Sequence, residues 1–316
     1  MRFWSEDGVM PMQLQSLFFP MDLPTLTNHS KYHKTNLTHK KKMKHIILTV
    51  ALSAMAAVTA VAQNVVAESA AVESELWIEN GNRRIYGIQS VPQNVAKKKV
   101  AIVSHGFNGT CDFARDYFRT LNELGYIVYA MDFPCGSVHS RSDNNTMNMS
   151  VIDEKEDVKA IVRHFQQQPD VDRNGIVLIG ESQGGLVSAL AAAEMKDDIS
   201  RLVLIYPALC IPDNWNSRYP SASDIPDTTR IWGVALGRRF FDELRSMDVW
   251  NTIFRFEGPV QIVQGSKDAI VAVRDSERAM KLYKDGHLGI IPGAGHGFKP
   301  AERVVSNAFV REFLER

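Results

Sequence analysis

The sequence predicts an α/β fold, in which a mostly parallel central sheet carries helices on both faces and a small cap is inserted. Three observations lead to this prediction. Strand and helix patterns alternate from residue 75 to residue 316. The strand patterns are continuous apolar runs, as expected for a sheet covered on both faces. One stretch of the chain, about residues 209–258, separates two strands and is too long for a simple crossover.

The first predicted elements are a hairpin and a buried strand. Residues 75–92 contain two β-rich runs on either side of Asn80 and Gly81, a dipeptide that is typical of a tight hairpin turn. Residues 97–107 read KKKVAIVSHGF. Their apolar residues are not separated by polar ones, which predicts a strand with both faces buried.

The remaining elements follow from two patterns. Continuous apolar runs predict strands, and apolar residues spaced by three and four predict helices. In chain order the predicted elements are a helix at 113–124, a strand at 126–133, a helix at 154–165, a strand at 175–182, an Ala-rich helix at 186–195, strands at 201–208 and 259–266, a helix at 271–284, a strand at 287–293 and a helix at 300–315. Ligand sites in such sheets lie at the carboxyl ends of the strands, so functional residues are expected there.

The inserted cap is rich in aromatic residues. Its large aromatic side chains include Trp215, Trp232, Phe240, Phe241 and Trp250. A small insert needs such residues for a core of its own, and the same residues could line an apolar pocket. Both interpretations stay open, and Trp215, Trp232 and Phe240 are the candidate substrate-binding residues.

One motif carries the expected chemistry. Gly180-Glu181-Ser182-Gln183-Gly184 matches Gly-x-Ser-x-Gly and lies between a predicted strand and a predicted helix. A serine in this place occupies a sharp turn, and the flanking glycines relieve the crowding of that turn. The hydroxyl then lies at the amino end of a helix, where developing negative charge is favoured. Ser182 is therefore the candidate nucleophile.

A serine nucleophile needs a base, because its hydroxyl is barely ionised at neutral pH. His296 lies in a glycine-rich loop between the last strand and the last helix, from which it can reach back over the serine. Asp268 follows an earlier strand and can hold the imidazole in one tautomer. We predict a triad of Ser182, Asp268 and His296, and this chain order is the one that the Gly-x-Ser-x-Gly turn accompanies.

A serine nucleophile of this kind carries out acyl transfer, in which the attacked carbonyl oxygen becomes an oxyanion. Two convergent backbone amides are needed to bind that oxyanion. The first is expected from the backbone N–H of Gln183, directly after the nucleophile. The second is expected from the loop after the strand at 97–107, where His105 and Gly106 let the backbone turn and Phe107 supplies the N–H. This chemistry implies no metal and no organic cofactor.

Composition argues against several other classes of protein. The chain has 316 residues, of which 45% are hydrophobic and 23% charged, an ordinary globular balance. The 36 basic and 36 acidic residues create no net field for nucleic acid. Three cysteines without a Cys-x-x-Cys pair exclude a disulfide framework and a zinc ribbon. Cys111 and Cys135 both fall in loops at strand ends, where they are either free thiols or, in an exported protein, a disulfide.

The amino-terminal region predicts export. Residues 43–62 combine a basic start, an apolar core and a small-x-small end, which is typical of a cleaved secretory signal peptide, with a retained anchor as the alternative. Since signal peptides begin with their basic region, we interpret residues 1–42 as a gene-model extension and Met43 as the start. The domain at 63–316 would then be periplasmic or secreted, without a stable membrane span.

Over residues 75–316 the chain resembles the α/β-hydrolase superfamily, and within it bacterial serine esterases of the cinnamoyl/feruloyl type. These esterases are grouped with serine aminopeptidase-like and monoacylglycerol-lipase-like hydrolases. The residues that carry the resemblance are His105-Gly106-Phe107, Asp132-Phe133, Ser182-Gln183-Gly184-Gly185, the run from Gly265 to Val271, and Gly295-His296-Gly297. The sequence departs from the family pattern at Glu181, where relatives often carry His, and this carboxyl is expected to influence the pH dependence.

The resemblance implies the α/β-hydrolase fold, with a short lid inserted after the sixth strand. It also implies a carboxylic-ester hydrolase that acts on a small-molecule or polysaccharide-linked ester, with hydroxycinnamoyl (feruloyl) or short acyl groups. The alternatives are a monoacylglycerol lipase, a serine peptidase of the aminopeptidase-like branch, and a non-catalytic binding protein on the same scaffold. Oligomeric state is not predicted.

Overall fold

The computed structural model describes residues 71–93 and 95–316. The predicted extension at 1–42 and the predicted signal peptide at 43–62 lie outside the described residues. Within the part of the chain that is described, no helix is both long enough and apolar enough to cross a membrane.

Ten strands and seven α-helices make up the described part of the chain. The strands are β1 (Ala71–Asn80), β2 (Arg83–Pro92), β3 (Lys98–Ser104), β4 (Tyr126–Asp132), β5 (Val171–Glu181), β6 (Arg201–Ile205), β7 (Thr228–Ile231), β8 (Val234–Gly237), β9 (Pro259–Gly265) and β10 (Asp285–Ile291). The α-helices are α1 (Arg115–Glu123), α2 (Val151–Gln166), α3 (Gln183–Glu194), α4 (Ile211–Arg218), α5 (Arg238–Leu244), α6 (Val273–Met280) and α7 (Pro300–Glu315).

Eight strands form one sheet in the order β1-β2-β4-β3-β5-β6-β9-β10. Every pair from β4 to β10 is parallel, and β1 and β2 add an antiparallel edge. The hairpin between β1 and β2 turns at Gly81, whose φ of 62° is open to glycine. The predicted α/β fold with a mostly parallel sheet is confirmed.

The centre of the sheet is buried on both faces, which explains its uninterrupted apolar strands. β4 is buried over its whole length, as is the second half of β5. Helix α3 follows β5 directly, and its residues 183–193 are all buried. A helix buried on every side must be apolar all round, which accounts for its Ala-rich sequence. The amino end of α3 therefore lies at the carboxyl edge of the central strands.

Several strands end earlier than their apolar pattern predicts. β3 ends at Ser104 rather than 107, and β6 ends at Ile205 rather than 208. Apolar residues continue beyond both ends, but there they form loops at the sheet edge. Tyr206, the first residue after β6, has a φ of 36° and has left the strand conformation. Burial of an apolar run thus extends into the loops that surround the candidate site.

The stretch between β6 and β9 contains α4, α5 and a separate two-stranded sheet of β7 and β8. Trp232 and Gly233 form the turn between β7 and β8, with φ values of 47° and 86°. Positive φ at both central residues matches the twist that a two-residue hairpin requires. Trp215 of α4 packs against Phe241 of α5, with ring centroids 4.7 Å apart, and Phe240 packs against Phe241 within α5 at 5.2 Å.

The described cysteines, Cys111, Cys135 and Cys210, are free and buried. Burial is the main cause that raises the pKa of Cys111 to about 12 and that of Cys135 to about 11. Both thiols stay protonated at neutral pH and are poor nucleophiles. Of the two alternatives for Cys111 and Cys135, the structure therefore has the free thiols.

Candidate active site

Ser182 lies in the sharp turn that joins β5 to α3. Its φ of 52° and ψ of −117° are strained for a residue with a Cβ. The flanking glycines make the turn possible, because their backbones leave no room for a side chain. A Cβ at Gly180 would lie 2.2 Å from the Gly184 carbonyl oxygen, and one at Gly184 would lie 2.4 Å from the carbonyl oxygens of Ser104 and His105.

The structure brings the three predicted triad side chains together. The Ser182 hydroxyl oxygen lies 2.9 Å from His296 Nε2, and His296 Nδ1 lies 2.8 Å from Asp268 Oδ2. A carboxylate only accepts hydrogen bonds, so His296 donates its Nδ1–H to Asp268 and accepts the Ser182 hydroxyl at Nε2. A neutral imidazole in this tautomer is ready to take a proton from the serine.

Asp268 is fixed by donors from strand β9 and from the loop that follows it. Its Oδ1 accepts the backbone N–H groups of Ile270 and Val271, both at 2.9 Å, and its Oδ2 also accepts Gln264 Nε2 at 2.8 Å. The side chain is fully buried. Together with the Nδ1–H of His296, these donors hold the Asp268 side chain in one orientation.

The two predicted oxyanion donors lie beside the Ser182 turn. Gln183 is the first residue of α3, where a backbone N–H has no partner within the helix. The backbone before Phe107 runs against the serine, since a Cβ at Gly106 would lie 3.0 Å from Ser182 Cβ. Among the described residues, neither the Phe107 nor the Gln183 N–H donates to an acceptor. Both amides are thus available to a bound oxyanion.

His105 holds the Phe107 loop in place. Its Nδ1 lies 2.7 Å from the Gly106 carbonyl oxygen, and its Nε2 accepts the Phe133 N–H at 3.0 Å. Burial is the main cause that lowers the pKa of His105, so the ring stays neutral and keeps one donor and one acceptor nitrogen. His105 therefore stabilises the loop rather than acting as a base.

A buried carboxyl holds the Gln183 side chain, and sequence reasoning did not find it. Gln183 Nε2 donates to both oxygens of Glu154, at 3.0 Å and 2.9 Å. Glu154 lies on α2 in a run of charged residues that is typical of a solvated helix face, yet it is buried. Burial is the main cause that raises its pKa to about 8, and the hydrogen bond from Gln183 acts in the opposite direction.

We expect Glu154→Gln to gain stability over the wild-type protein as the pH rises. The unfolded chain loses this proton near its ordinary pKa of 4.5, whereas the folded protein keeps it up to about pH 8. Between these values the folded state binds more protons, so wild-type stability falls as pH rises. The neutral glutamine lacks this loss. Thermal unfolding at pH 6, 7.5 and 9 should show the Tm difference widening by about 2–4 °C for each kcal/mol recovered.

Glu156→Gln is the matched control, because Glu156 lies on the same helix and is partly exposed. Its carboxylate pairs with Lys159 at 2.9 Å. Its Tm difference from wild type should stay constant over this pH range. A constant difference for Glu154→Gln as well would show that Glu154 titrates as an ordinary carboxylate.

The three candidate substrate-binding residues lie in two different places. Trp232 packs its ring edge-on against Phe107, with centroids 5.7 Å apart, and is 44% exposed. Trp215 and Phe240 are only 8% and 2% exposed, and both pack against Phe241. Trp232 is therefore the one of the three that lies against Phe107, a predicted oxyanion donor, whereas the other two form a core for the insert.

Similar proteins extend this description. The family model described as serine aminopeptidase, S33, matches residues 95–240. Est1E from Butyrivibrio proteoclasticus, solved with ferulic acid bound, superposes with a TM-score of 0.69 at 25% identity and covers 76% of this chain and 100% of its own. The α/β-hydrolase GrgF from Penicillium sp. sh18 superposes with a TM-score of 0.63 at 16% identity, covering 78% of this chain and 100% of its own.

A curated relative also matches part of the sequence. The monoglyceride lipase of Rattus norvegicus is 31% identical over 113 residues, which is 35% of this chain. The matched stretch spans about a third, 36%, of the length of that lipase. The chain has the α/β-hydrolase fold, and its predicted resemblance to serine esterases of that superfamily is confirmed. These likenesses support a hydrolase.

Proposed function

We propose that this protein is a serine carboxylic-ester hydrolase. One observation carries the proposal: an unbroken line of hydrogen bonds runs from Asp268 through His296 to Ser182, beside two available amides. A nucleophile, an oriented base and an oxyanion site are together what acyl transfer requires. The predicted export from residues 43–62 stays part of the proposal.

The mechanism follows from the tautomer of His296. The Ser182 oxygen attacks the ester carbonyl carbon while its proton passes to Nε2 of His296. The carbonyl oxygen becomes an oxyanion, which accepts the N–H groups of Phe107 and Gln183. The bond to the alcohol then breaks, and His296 donates the proton to the leaving oxygen. Water attacks the acyl-serine by the same route, releases the acid and restores the Ser182 hydroxyl.

Asp268 takes no proton in this scheme. Its role is to hold the imidazole ring and to stabilise the imidazolium that forms when Ser182 loses its proton. The two carboxylate oxygens of Asp268 accept four hydrogen bonds, which hold the carboxylate in position beside His296. The whole cycle needs only ester and water.

We propose a hydroxycinnamoyl group, such as feruloyl, or a short acyl group as the acyl part. The edge-on contact of Trp232 with Phe107 puts an aromatic surface next to an oxyanion donor, which suits an aromatic acid. The likeness to Est1E, which was solved with ferulic acid, supports the same choice.

Hydrolysis of methyl ferulate, p-nitrophenyl acetate and p-nitrophenyl butyrate by residues 63–316 tests the proposal. Turnover that a serine-directed fluorophosphonate abolishes by labelling Ser182 is the expected result. A folded protein without turnover on any of the three esters would contradict the proposal.

Two related activities have specific support and belong in the same experiment. The family model over residues 95–240 favours a serine aminopeptidase, and the lipase match favours a monoacylglycerol lipase. An aminoacyl p-nitroanilide and a monoacylglycerol therefore serve as additional substrates. A higher kcat/KM for either substrate than for methyl ferulate would replace the hydroxycinnamoyl assignment. The chemistry proposed for Ser182 would be unchanged.

We expect Trp232→Ala to reduce kcat/KM for methyl ferulate by about fivefold, since the contact between two aromatic rings contributes about 1 kcal/mol. The value for methyl butyrate should change by less than about twofold, because this ester has the same methanol part and no ring to bind. Phe254→Ala is the control, because Phe254 is an aromatic residue of the same insert that is 47% exposed. Equal losses on both esters in Trp232→Ala would show a structural role for this residue instead.

A further inference from the structure

Tyr206 adopts a strained backbone conformation directly after β6. Its φ of 36° is rare for a bulky aromatic residue, and its N–H donates to the Val263 carbonyl oxygen at 2.8 Å. Strain of this kind persists only where the surroundings impose it, and it clusters at active sites. Here the strained backbone directs the tyrosine ring toward the candidate base.

The ring of Tyr206 packs against His296. The two ring centroids lie 4.7 Å apart at an interplanar angle of 55°. Phe298 packs edge-on against the same tyrosine, also at 4.7 Å, on the loop that carries His296. The imidazole therefore has a hydrogen-bond partner at each nitrogen and an aromatic ring against it.

The hydroxyl of Tyr206 is bound to a carboxyl that adjoins the nucleophile. Tyr206 Oη donates to Glu181 Oε2 at 2.6 Å, and Tyr117 Oη donates to Glu181 Oε1 at 3.2 Å. Glu181 is buried, and it immediately precedes Ser182. A short hydrogen bond to a carboxyl out of contact with water is strong, so it restricts the ring of Tyr206.

Charged and titratable groups face Glu181 from three elements. Tyr206 faces it from the end of β6, Tyr117 and Asp116 from α1, and Arg303 from α7. Arg303 forms its ion pair with Asp116, at 2.7 Å, and within the described residues no ion pair includes Glu181. Burial is the main cause that raises the pKa of Glu181 to about 7, while the two tyrosines and Arg303 lower it. The carboxyl is thus partly ionised near neutral pH.

We infer that Glu181 is a positioning residue for His296, which it reaches through Tyr206. The carboxyl holds the tyrosine hydroxyl, the tyrosine ring holds the imidazole, and the imidazole stays aligned between Asp268 and Ser182. The ionised carboxylate of Glu181 accepts the Tyr206 hydroxyl more strongly than the protonated carboxyl does, so the hold on the ring weakens as Glu181 gains its proton. This inference rests on the proposed function, because it concerns the base of that reaction.

Two conservative variants test the inference, with kcat referred to the number of sites that a fluorophosphonate titrates. Tyr206→Phe keeps the ring and removes the hydroxyl, and it should lower kcat by about tenfold with KM within about twofold, since a misaligned base slows chemistry without weakening binding. Glu181→Gln keeps an acceptor for Tyr206 and removes the charge. It should move the acidic limb of the kcat/KM profile, and of the pH dependence of Ser182 labelling, to lower pH.

Tyr283→Phe is the matched control, because the buried Tyr283 hydroxyl has no hydrogen-bond partner within the described chain. It should leave kcat and the pH profile unchanged. A kcat for Tyr206→Phe within twofold of wild type, together with an unmoved acidic limb in Glu181→Gln, would overturn this inference. The proposed function would still stand. A wild-type protein that neither turns over esters nor labels at Ser182 would overturn the proposed function, and the inference with it.

Discussion

Replacing Ser182 with alanine is expected to lower kcat on the preferred ester by about 10⁴-fold or more, which is the loss typical of removing a serine nucleophile. The substitution takes away the hydroxyl oxygen that lies 2.9 Å from His296 Nε2 and leaves the Asp268 hydrogen bond intact. Alanine keeps the Cβ, so the turn between β5 and α3 retains the conformation that serine already adopts. The amides of Phe107 and Gln183 remain, which accounts for a residual rate above that in water.

Ser188→Ala provides the control for this substitution. Ser188 lies on α3, the helix that follows Ser182, it is buried, and its hydroxyl has no partner within the described residues. The same chemical change there should leave kcat within about twofold. Kinetics on both variants, with circular dichroism to verify folding, separates the loss of the nucleophile from the loss of a buried hydroxyl. A Ser182→Ala variant that kept a tenth of the wild-type rate would refute the proposed mechanism.

Asp268→Asn is expected to lower kcat by about 10³- to 10⁴-fold while the protein stays folded. The carboxylate accepts two backbone N–H groups at Oδ1 and two side-chain donors, Gln264 Nε2 and His296 Nδ1, at Oδ2. Asparagine has a single side-chain oxygen, which can accept only one of these two pairs of donors. Its NH₂ group then faces His296 and favours the tautomer with the proton on Nε2, which can no longer accept the Ser182 proton.

Asp285→Asn is the control for the second prediction, because Asp285 also pairs with a histidine, His287, at 3.2 Å, but in a largely exposed place. It should leave kcat unchanged. The rate of Ser182 labelling by a fluorophosphonate should fall with kcat in Asp268→Asn, since both depend on the same base. Normal labelling in that variant would mean that Asp268 does not orient His296.

The parts of the site that sequence reasoning found are those fixed by local geometry. Gly180 and Gly184 flank Ser182 because no side chain fits at either place, and this requirement is visible as a five-residue motif. The alternation of strands and helices then put the loops of Asp268 and His296 at the same sheet edge. Steric exclusion and strand direction act over a few residues, so they leave a readable pattern.

The parts that sequence reasoning missed depend on packing between distant elements. Glu154 has charged neighbours in the sequence, which are typical of a solvent-exposed helix face. It is buried because α2 packs against α3. Tyr206 looks like the end of an apolar strand, and only its positive φ shows that it turns toward His296. No spacing rule marks a tyrosine that reaches a carboxyl 25 positions earlier in the chain.

The aromatic residues of the insert show the same limit. Trp215, Trp232 and Phe240 are all aromatic residues of the same insert, and the sequence does not distinguish them. In the structure, two are buried among other rings and Trp232 lies against Phe107. The difference depends on which residue occupies the turn of a hairpin, and only the pairing of β7 with β8 determines it.

That hairpin has a consequence for how such an enzyme could diversify. β7 and β8 form a sheet of their own, apart from the eight-stranded sheet whose strand ends carry the candidate triad. Mutations at its tip would therefore leave the strand pairing of the eight-stranded sheet unchanged. Trp232 already tolerates a backbone conformation that glycine or asparagine adopts more easily, so its neighbourhood is a suitable starting point for a library selected on new acyl groups.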